Sequence, residues 1–111
     1  MTLSIILPAK NESAGLRLVL PSLRALFPDA EVIVVDDGST DETAAVAREH
    51  GARVLGAPYS MGNGAAIKRG ARAATGDVLE FGNGENGPCR VPLASLATED
   101  DYARLGRVIC R

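Results

Sequence analysis

Residues 31–42 have the sequence EVIVVDDGSTDE, and this stretch decides the fold class. It begins with a run of mainly β-branched apolar residues, which predicts a strand that is buried on both faces. The run ends in two adjacent carboxylates, and Gly38 then permits a turn that a residue with a Cβ would resist. Ser39 and Glu42 follow at the spacing of a capping box, so we expect a helix to start at Ser39.

Asp36 and Asp37 therefore lie at the carboxyl end of a predicted strand, just before a predicted helix. In open α/β sheets, ligands bind in the crevice at this edge. Aspartate and glycine are also ordinary turn residues, so a purely structural role is the alternative. Two consecutive acids favour the functional interpretation, because like charges side by side repel each other unless a ligand, a metal or water separates them. We therefore take both aspartates as candidate binding residues.

The composition is that of one globular domain. The chain has 111 residues, of which 46% are hydrophobic and 23% are charged, which disfavours a disordered protein. A net charge of −2 and a pI of about 5.3 argue against a nucleic-acid partner.

The two cysteines, Cys89 and Cys110, have no metal-binding spacing and favour a reducing compartment, so we expect a cytoplasmic protein. The first apolar run, Leu3 to Leu7, is far too short to span a bilayer. Any membrane association is therefore expected to be peripheral, at the inner face of a membrane.

The loop after the first strand is a second candidate binding segment. Residues 3–7 predict that strand, which Pro8 should end because proline cannot donate to a β-ladder. Residues 9–13 then lie at the same edge of the sheet as the two aspartates. Asn11 and Glu12 offer hydrogen-bond donors and acceptors to a ligand there. They are equally compatible with the first turn of a helix, where the macrodipole favours Glu12.

Apolar residues at helical spacing predict a helix after this loop, namely Leu16, Leu20, Leu23 and Phe27. We expect this apolar stripe to pack in the core. Pro21 lies inside the pattern, and it should either kink the helix or begin a second short one.

The chain continues to alternate strands with helices. A third strand is expected over residues 52–55, a helix opens at residues 61–66, and a fourth strand covers residues 77–81. This alternation predicts an α/β fold with a mainly parallel sheet, flanking helices and the strand order 3-2-1-4. We assign residues 1–81 to this α/β domain and residues 82–111 to an atypical glycine-rich loop followed by a tail helix.

Three motifs occur in a fixed order along the chain. They are LPAKNE at residues 7–12, VVDDGSTD at residues 34–41, and MGNGAAI at residues 61–67 with TGDV at residues 75–78 behind it. Together they resemble the N-terminal half of the family 2 glycosyltransferases of the GT-A fold. The branch that looks most similar is that of the polyprenyl-phosphate mannose or glucose synthases. The resemblance covers residues 1 to about 80.

The resemblance implies a Rossmann-like half that binds a nucleotide sugar, linked to UDP or GDP. The sugar would pass to a hydroxyl group or to a lipid phosphate, such as polyprenyl phosphate at a membrane surface. Carboxylates suit such a site because they accept hydrogen bonds from ribose hydroxyls and base N–H groups. The residues that the resemblance places near the nucleotide are Pro8, Ala9, Asn11, Glu12, Asp36, Asp37, Asn63 and Gly64.

The chain departs from the family at the metal site. The family places an Asp-x-Asp motif after the fourth strand, where it binds Mn²⁺ or Mg²⁺ against the diphosphate. Here residues 80–85 read EFGNGE, so Glu85 is the remaining candidate ligand. A cation is needed because Asp36 and Asp37 would otherwise repel the phosphates. The sequence identifies no catalytic residue.

The chain ends before the acceptor half of the family, so we expect a truncated, frame-disrupted or recombined member. The alternative hypothesis is an inactive nucleotide-binding remnant or module. A dinucleotide-binding Rossmann domain is disfavoured because residues 8–13 contain no glycine fingerprint. A phospho-receiver domain would group its acids after the first and third strands, whereas here they follow the second.

Overall fold

One sheet with helices on both faces makes up the computed structural model, which describes residues 2–76, 78–82 and 88–92. Within these residues the strands are β1 (Leu3–Ala9), β2 (Glu31–Asp36), β3 (Arg53–Gly56), β4 (Val78–Gly82) and β5 (Pro88–Pro92). The helices are α1 (Ser13–Leu26), α2 (Thr43–Glu49) and α3 (Asn63–Ala73). The strand order is β3-β2-β1-β4-β5, with β5 antiparallel to β4 and the other pairs parallel. The predicted α/β fold with a mainly parallel sheet is confirmed, and β3, β2 and β1 lie in the predicted order with β4 beside β1.

The prediction that β2 is buried on both faces is also confirmed. Its four central residues are each at most 2% exposed. Val32 and Val34 pack into a core with α1 and α2, whereas Ile33 and Val35 pack into a second core with α3. Full burial of each such side chain contributes roughly 1.5–3 kcal/mol relative to an exposed one. This two-sided packing fixes β2 in the middle of the fold.

β1 is longer than predicted, because Pro8 does not end it. Pro8 pairs with Val35, and Ala9 pairs with Asp36 in parallel register. The ladder between β1 and β4 ends at Ile6. Pro8 therefore lies beyond the last β4 partner, where its missing N–H removes no bond to β4. As a result β1 and β2 end level with each other, and the loops that follow them start side by side.

Pro21 lies inside α1, which continues as one helix from Ser13 to Leu26. The proline therefore does not begin a second helix. Its side chain is exposed, whereas Leu16 and Leu20 of the predicted apolar stripe are buried in the core. Packing of that stripe against the sheet stabilises the helix although proline supplies no backbone N–H.

The predicted helix start at Ser39 is wrong, since α2 begins at Thr43. The Ser39 hydroxyl accepts a hydrogen bond from the N–H of Asn11 at 2.8 Å instead of capping a helix. Asp41 acts at the observed start, where its Oδ1 accepts from the N–H of Thr43 at 2.9 Å and also from the Thr43 hydroxyl. A contact between two loops thus replaces the local capping box.

β5 was not predicted, because the turn-rich sequence after β4 indicated no regular structure. In the sheet, Pro92 lies opposite Val78 and Pro88 lies opposite Gly82. Both prolines occupy the ends of the strand, where a missing N–H is tolerated. The sheet therefore continues past residue 81, and the division of the chain at that residue stays a prediction.

Two further predictions, the metal-ligand candidate Glu85 and the tail helix after residue 98, lie outside the described residues. Among the residues that are described, none of the helices has the length and apolar character needed to cross a membrane.

Candidate functional site

The loops that follow β1 and β2 are joined by hydrogen bonds. The N–H of Asp37 donates to the carbonyl of Ala9 at 2.8 Å, which continues the pairing of β1 with β2 by one step. The N–H of Asn11 donates to the Ser39 hydroxyl at 2.8 Å, and the N–H of Thr40 donates to the Asn11 side-chain oxygen at 2.9 Å. These bonds bring the predicted site residues of both loops together.

Asn11 and Glu12 occupy different places at this junction. Asn11 has a φ of +54°, which asparagine tolerates better than most residues, and its side-chain oxygen accepts from both the N–H and the hydroxyl of Thr40. Glu12 is the N-cap of α1 and its side chain is exposed. The N–H of Glu12 donates to the Thr43 hydroxyl at 3.0 Å. Asn11 thus joins the two loops, whereas the Glu12 side chain is exposed.

Asp37 is 8% exposed, and its carboxylate fastens the loop between β3 and α3. Its Oδ1 accepts from the N–H of Met61 at 2.6 Å. Its Oδ2 accepts from the Ser60 hydroxyl at 2.9 Å and from the N–H of Gly62 at 3.0 Å. Burial alone would raise the pKa of this carboxyl, but these three donors and the charge of Lys10 lower the pKa below its ordinary value. Asp37 is therefore a negatively charged side chain that three hydrogen bonds fix against the loop before α3.

Gly38 makes the close approach of that loop possible, and the predicted turn is confirmed. Its φ is +77°, a conformation that residues with a Cβ rarely adopt. A Cβ on Gly38 would also lie 2.8 Å from the backbone N of Ser60 and 2.8 Å from the backbone C of Tyr59. The turn after β2 and the loop before α3 are thus packed backbone against backbone.

Asp36 is a turn former at this edge. Its Oδ1 accepts from the N–H of Ser39 at 3.0 Å, as the structural alternative expected. Asp37 next to it faces the three donors of the other loop. Hydrogen bonds inside the protein therefore relieve the repulsion between the two acids. The sequence had suggested only a ligand, a metal or water for this role.

A cavity of about 260 Å³ lies between the two loops. Four predicted site residues line it, namely Pro8, Ala9, Glu12 and Asp37. Lys10 also lines it, although sequence reasoning missed this residue. The sequence contained a clue, because Lys10 lies in the middle of the first motif, but a lone exposed lysine usually has no functional role. An apolar groove of about 210 Å³ adjoins the cavity and shares Pro8, Ala9 and Glu12 with it.

Asn63 and Gly64 lie apart from the other predicted residues along the chain. They form the first turn of α3, directly after the loop that Asp37 fastens. Gly64 is not among the described residues that line the cavity. The role of these two residues stays a prediction.

The described residues do not fit the expected Mn²⁺ or Mg²⁺. Among them, no group of three histidine, cysteine, aspartate or glutamate side chains could hold a metal ion. Both oxygens of Asp37 and one oxygen of Asp36 already accept hydrogen bonds from the protein. Divalent cations of this kind need several oxygen ligands. We therefore assign no metal-binding role to these two aspartates.

Comparison with a protein-family model identifies the chain. The model of glycosyl transferase family 2 matches residues 4–81, which begin in β1 and end in β4 and include both loops of the cavity. The chain belongs to glycosyl transferase family 2. The predicted family is thereby confirmed.

Curated relatives of this family 2 chain include two bacterial enzymes. Glucosyl-3-phosphoglycerate synthase of Mycobacterium tuberculosis is 38% identical over 89 residues, which are 72% of this chain and 28% of the relative. The 4,4'-diaponeurosporenoate glycosyltransferase of Staphylococcus haemolyticus is 38% identical over 86 residues, covering 72% of this chain and 23% of the relative. The chain therefore spans about a quarter of the length of these proteins. Neither is a polyprenyl-phosphate synthase by name, and that finer prediction stays a prediction.

Solved structures agree with the family and the fold. The crystal structure of glucosyl-3-phosphoglycerate synthase from Mycobacterium tuberculosis with Mn²⁺, UDP and glucosyl-3-phosphoglycerate has a TM-score of 0.63 and 38% identity, and the match covers 72% of this chain and 32% of that one. The structure of the same enzyme with Mg²⁺ and UDP also has a TM-score of 0.63. Relatives of known structure thus bind UDP together with a divalent cation.

Proposed function

We propose that the chain is the nucleotide-sugar-binding part of a glycosyltransferase and that its cavity binds the nucleoside of a UDP-sugar. The observation that carries this proposal is the cavity itself, which brings Glu12 and Asp37 together from two loops at the carboxyl edge of the sheet. In α/β sheets this edge is the usual ligand site. Relatives that share this part of the fold hold UDP.

The lining residues have chemistry that suits a nucleoside. The exposed Glu12 carboxylate is an acceptor for ribose hydroxyls, whereas Pro8 and Ala9 offer apolar surface to a base. Asp37 forms part of the wall and holds the loop before α3. The cavity volume of about 260 Å³ is below the roughly 300–1,000 Å³ of pockets that enclose a whole small molecule. A cavity of this size holds part of a nucleotide and leaves the sugar outside, and the UDP that relatives hold favours UDP over GDP as the ligand.

The transfer step is the finer part of the proposal. The acceptor would be a hydroxyl group or a lipid phosphate, with polyprenyl phosphate at a membrane surface as one case. The names of the relatives point to acceptors as different as phosphoglycerate and diaponeurosporenoate. In relatives a divalent cation accompanies UDP, and when bound it would neutralise charge on the diphosphate. No described residue of this chain is assigned to that cation.

A second candidate function is nucleotide binding without sugar transfer. The sequence favours it, because residues 80–85 read EFGNGE and lack the Asp-x-Asp motif that the family resemblance implies. The two candidates differ in their dependence on a cation. A chain that performs transfer should bind UDP more tightly with Mn²⁺, whereas a binding module should bind UDP equally well without the metal.

A thermal-shift titration tests the proposal. The purified chain is titrated with UDP, GDP, UDP-glucose and GDP-mannose, each with and without Mn²⁺. A ligand at about a hundred times its dissociation constant should stabilise the fold by roughly 2.7 kcal/mol. We expect a shift with UDP and its sugar and a smaller one with GDP. The variant Glu12→Gln should lose most of the shift with its ligand-free melting temperature unchanged, because Glu12 is exposed. A chain that responds to none of the four compounds would contradict the proposal.

A further inference from the structure

Lys10 is the one cation among the described residues that line the cavity. The same lining contains two carboxylates, Glu12 and Asp37. Asp37 keeps its negative charge at neutral pH, because hydrogen bonds and the charge of Lys10 hold its pKa below the ordinary value. Without Lys10, the lining would present two acids and no compensating positive charge.

That charge balance matters for some ligands and not for others. UDP carries several negative charges on its diphosphate, whereas uridine has none. Two carboxylates a few ångströms away would repel the diphosphate and leave uridine unaffected. The Lys10 side chain is exposed, and its flexible four-carbon stem lets the ammonium follow an anion at the mouth of the cavity.

We propose that Lys10 makes this cavity selective for nucleotides over nucleosides, by offsetting the charges of Glu12 and Asp37 and by pairing with a phosphate of the ligand. This inference rests on the proposed function, since it concerns the same cavity. It adds a specificity-determining residue that the motif comparison did not single out. The expected effect of removing the charge is on the order of tenfold for an anionic ligand at a partly exposed site.

Isothermal titration calorimetry with uridine, UMP and UDP tests the inference on the full chain. In Lys10→Met we expect the dissociation constant of UDP to rise about tenfold and that of uridine to stay unchanged, so that the preference for UDP largely disappears. Raising the salt concentration should weaken UDP binding to the native chain, whereas in Lys10→Met it should strengthen binding by screening the repulsion between the two carboxylates and the diphosphate. Lys10→Arg, which keeps the positive charge, should retain most of the preference.

Arg48→Met is the matched control. It removes one exposed positive charge in the last turn of α2, at the end of that helix remote from the cavity. The ratio of UDP to uridine affinity should therefore be that of the native chain. This control separates the local effect of Lys10 from the effect of a change in net charge.

The possible failures are distinguishable. A native chain that binds UDP, with an unchanged affinity ratio in Lys10→Met, overturns this inference and leaves the proposed function standing. An equal loss of uridine and UDP affinity also overturns it, because Lys10 would then hold the nucleoside. A native chain that binds none of the three ligands overturns both.

Discussion

β2 has a carboxylate close to each of its ends, and each one accepts hydrogen bonds from a loop that flanks α3. At the amino end, Glu31 accepts from the N–H of Thr75 at 2.9 Å and from the Thr75 hydroxyl at 3.2 Å. It also accepts from the Ser4 hydroxyl at 2.9 Å. Just past the carboxyl end, Asp37 accepts from three donors of the loop before α3. The same kind of bonding therefore ties both ends of α3 to the sheet.

The two ends differ in what surrounds the carboxylate. Asp37 shares its cavity with Lys10 and the exposed Glu12. A pocket also lies at the amino end, but it is lined by residues 2–3 and 27–30 without Glu31. A hydrogen-bonded carboxylate at a strand end is therefore not by itself a sign of ligand binding. The carboxyl end is a candidate site because a cavity, an exposed acid and a cation occur there together.

The largest expected effect on stability comes from replacing the glycine near each end of β2 with alanine. Gly38→Ala should lower the free energy of unfolding by about 3 kcal/mol, since alanine is strained at a positive φ and its Cβ would overlap the backbone of Tyr59 and Ser60. Affinity for UDP should fall as well, because the loop that Asp37 fastens would move. Urea unfolding and calorimetric titration measure the two quantities.

Gly76→Ala is the matched change at the amino end. A Cβ on Gly76 would lie 2.6 Å from the Ser4 hydroxyl oxygen, so we expect a loss of about 2 kcal/mol from overpacking. UDP affinity should be unchanged in this variant, because Gly76 is at the edge opposite the cavity. A loss of UDP affinity equal to that of Gly38→Ala would show that the two ends do not differ in function.

The next effect comes from removing each carboxylate. Asp37→Ala should lower the free energy of unfolding by about 2 kcal/mol. Hydrogen bonds to a charged group contribute roughly 1.5–3 kcal/mol, and part of this loss is recovered when the freed donors bind water. It should also weaken UDP binding about tenfold, because binding must then order the loop. Amide hydrogen exchange at Met61 and Gly62 should become faster, since their N–H groups lose this acceptor.

Glu31→Ala provides the comparison for that result. It should cost about 1.5 kcal/mol, because Glu31 is only half-buried and its donors reach water more easily. Exchange should become faster at Thr75, whose N–H it holds, and UDP affinity should stay unchanged. Faster exchange at Met61 in Glu31→Ala would mean that the two ends of α3 are not independent.

The parts of the fold that could be predicted depend on local patterns. The β-branched run of β2 and the glycine after its two acids gave the central strand and its turn, because period and turn chemistry are properties of neighbouring residues. The position at which β1 ends relative to β2 was not predictable from local patterns. It depends on where β4 stops pairing with β1, which places Pro8 beyond the last β4 partner.

The errors at the site have the same origin. The capping box at Ser39 was a sound local pattern, but the N–H of Asn11, 28 residues away, takes the Ser39 hydroxyl. The role of Asp37 was likewise hidden, because its partners lie 23 to 25 residues further along the chain. Lys10 lies within the first motif, but only the cavity shows that its side chain contributes to the lining. The motifs predicted candidate site residues, but they did not predict the contacts that those residues make.

The smallest expected differences are in the response to acid, because the carboxylates at both ends have pKa values below their ordinary ones. Burial opposes ionisation of Glu31, but hydrogen bonds from Thr75 and Ser4 and the charge of Arg53 lower its pKa below 4.5. The pKa of Asp37 is likewise held below 3.8. Because both pKa values are lower in the folded chain, the unfolded chain binds more protons in acid, and each contribution to stability is lost as pH falls.

Stability should therefore begin to fall below about pH 4.5 through Glu31 and below about pH 3.8 through Asp37. Asp41, whose pKa the Thr43 hydroxyl lowers to about 2, extends the loss further. Glu31→Gln should flatten the early part of the profile, and Asp37→Asn should flatten the later part. Urea unfolding of the three proteins between pH 7 and pH 2.5 measures this order. If the stability profiles of the three proteins coincide, neither carboxylate stabilises the fold through a lowered pKa. The two ends of β2 would then differ only in the cavity.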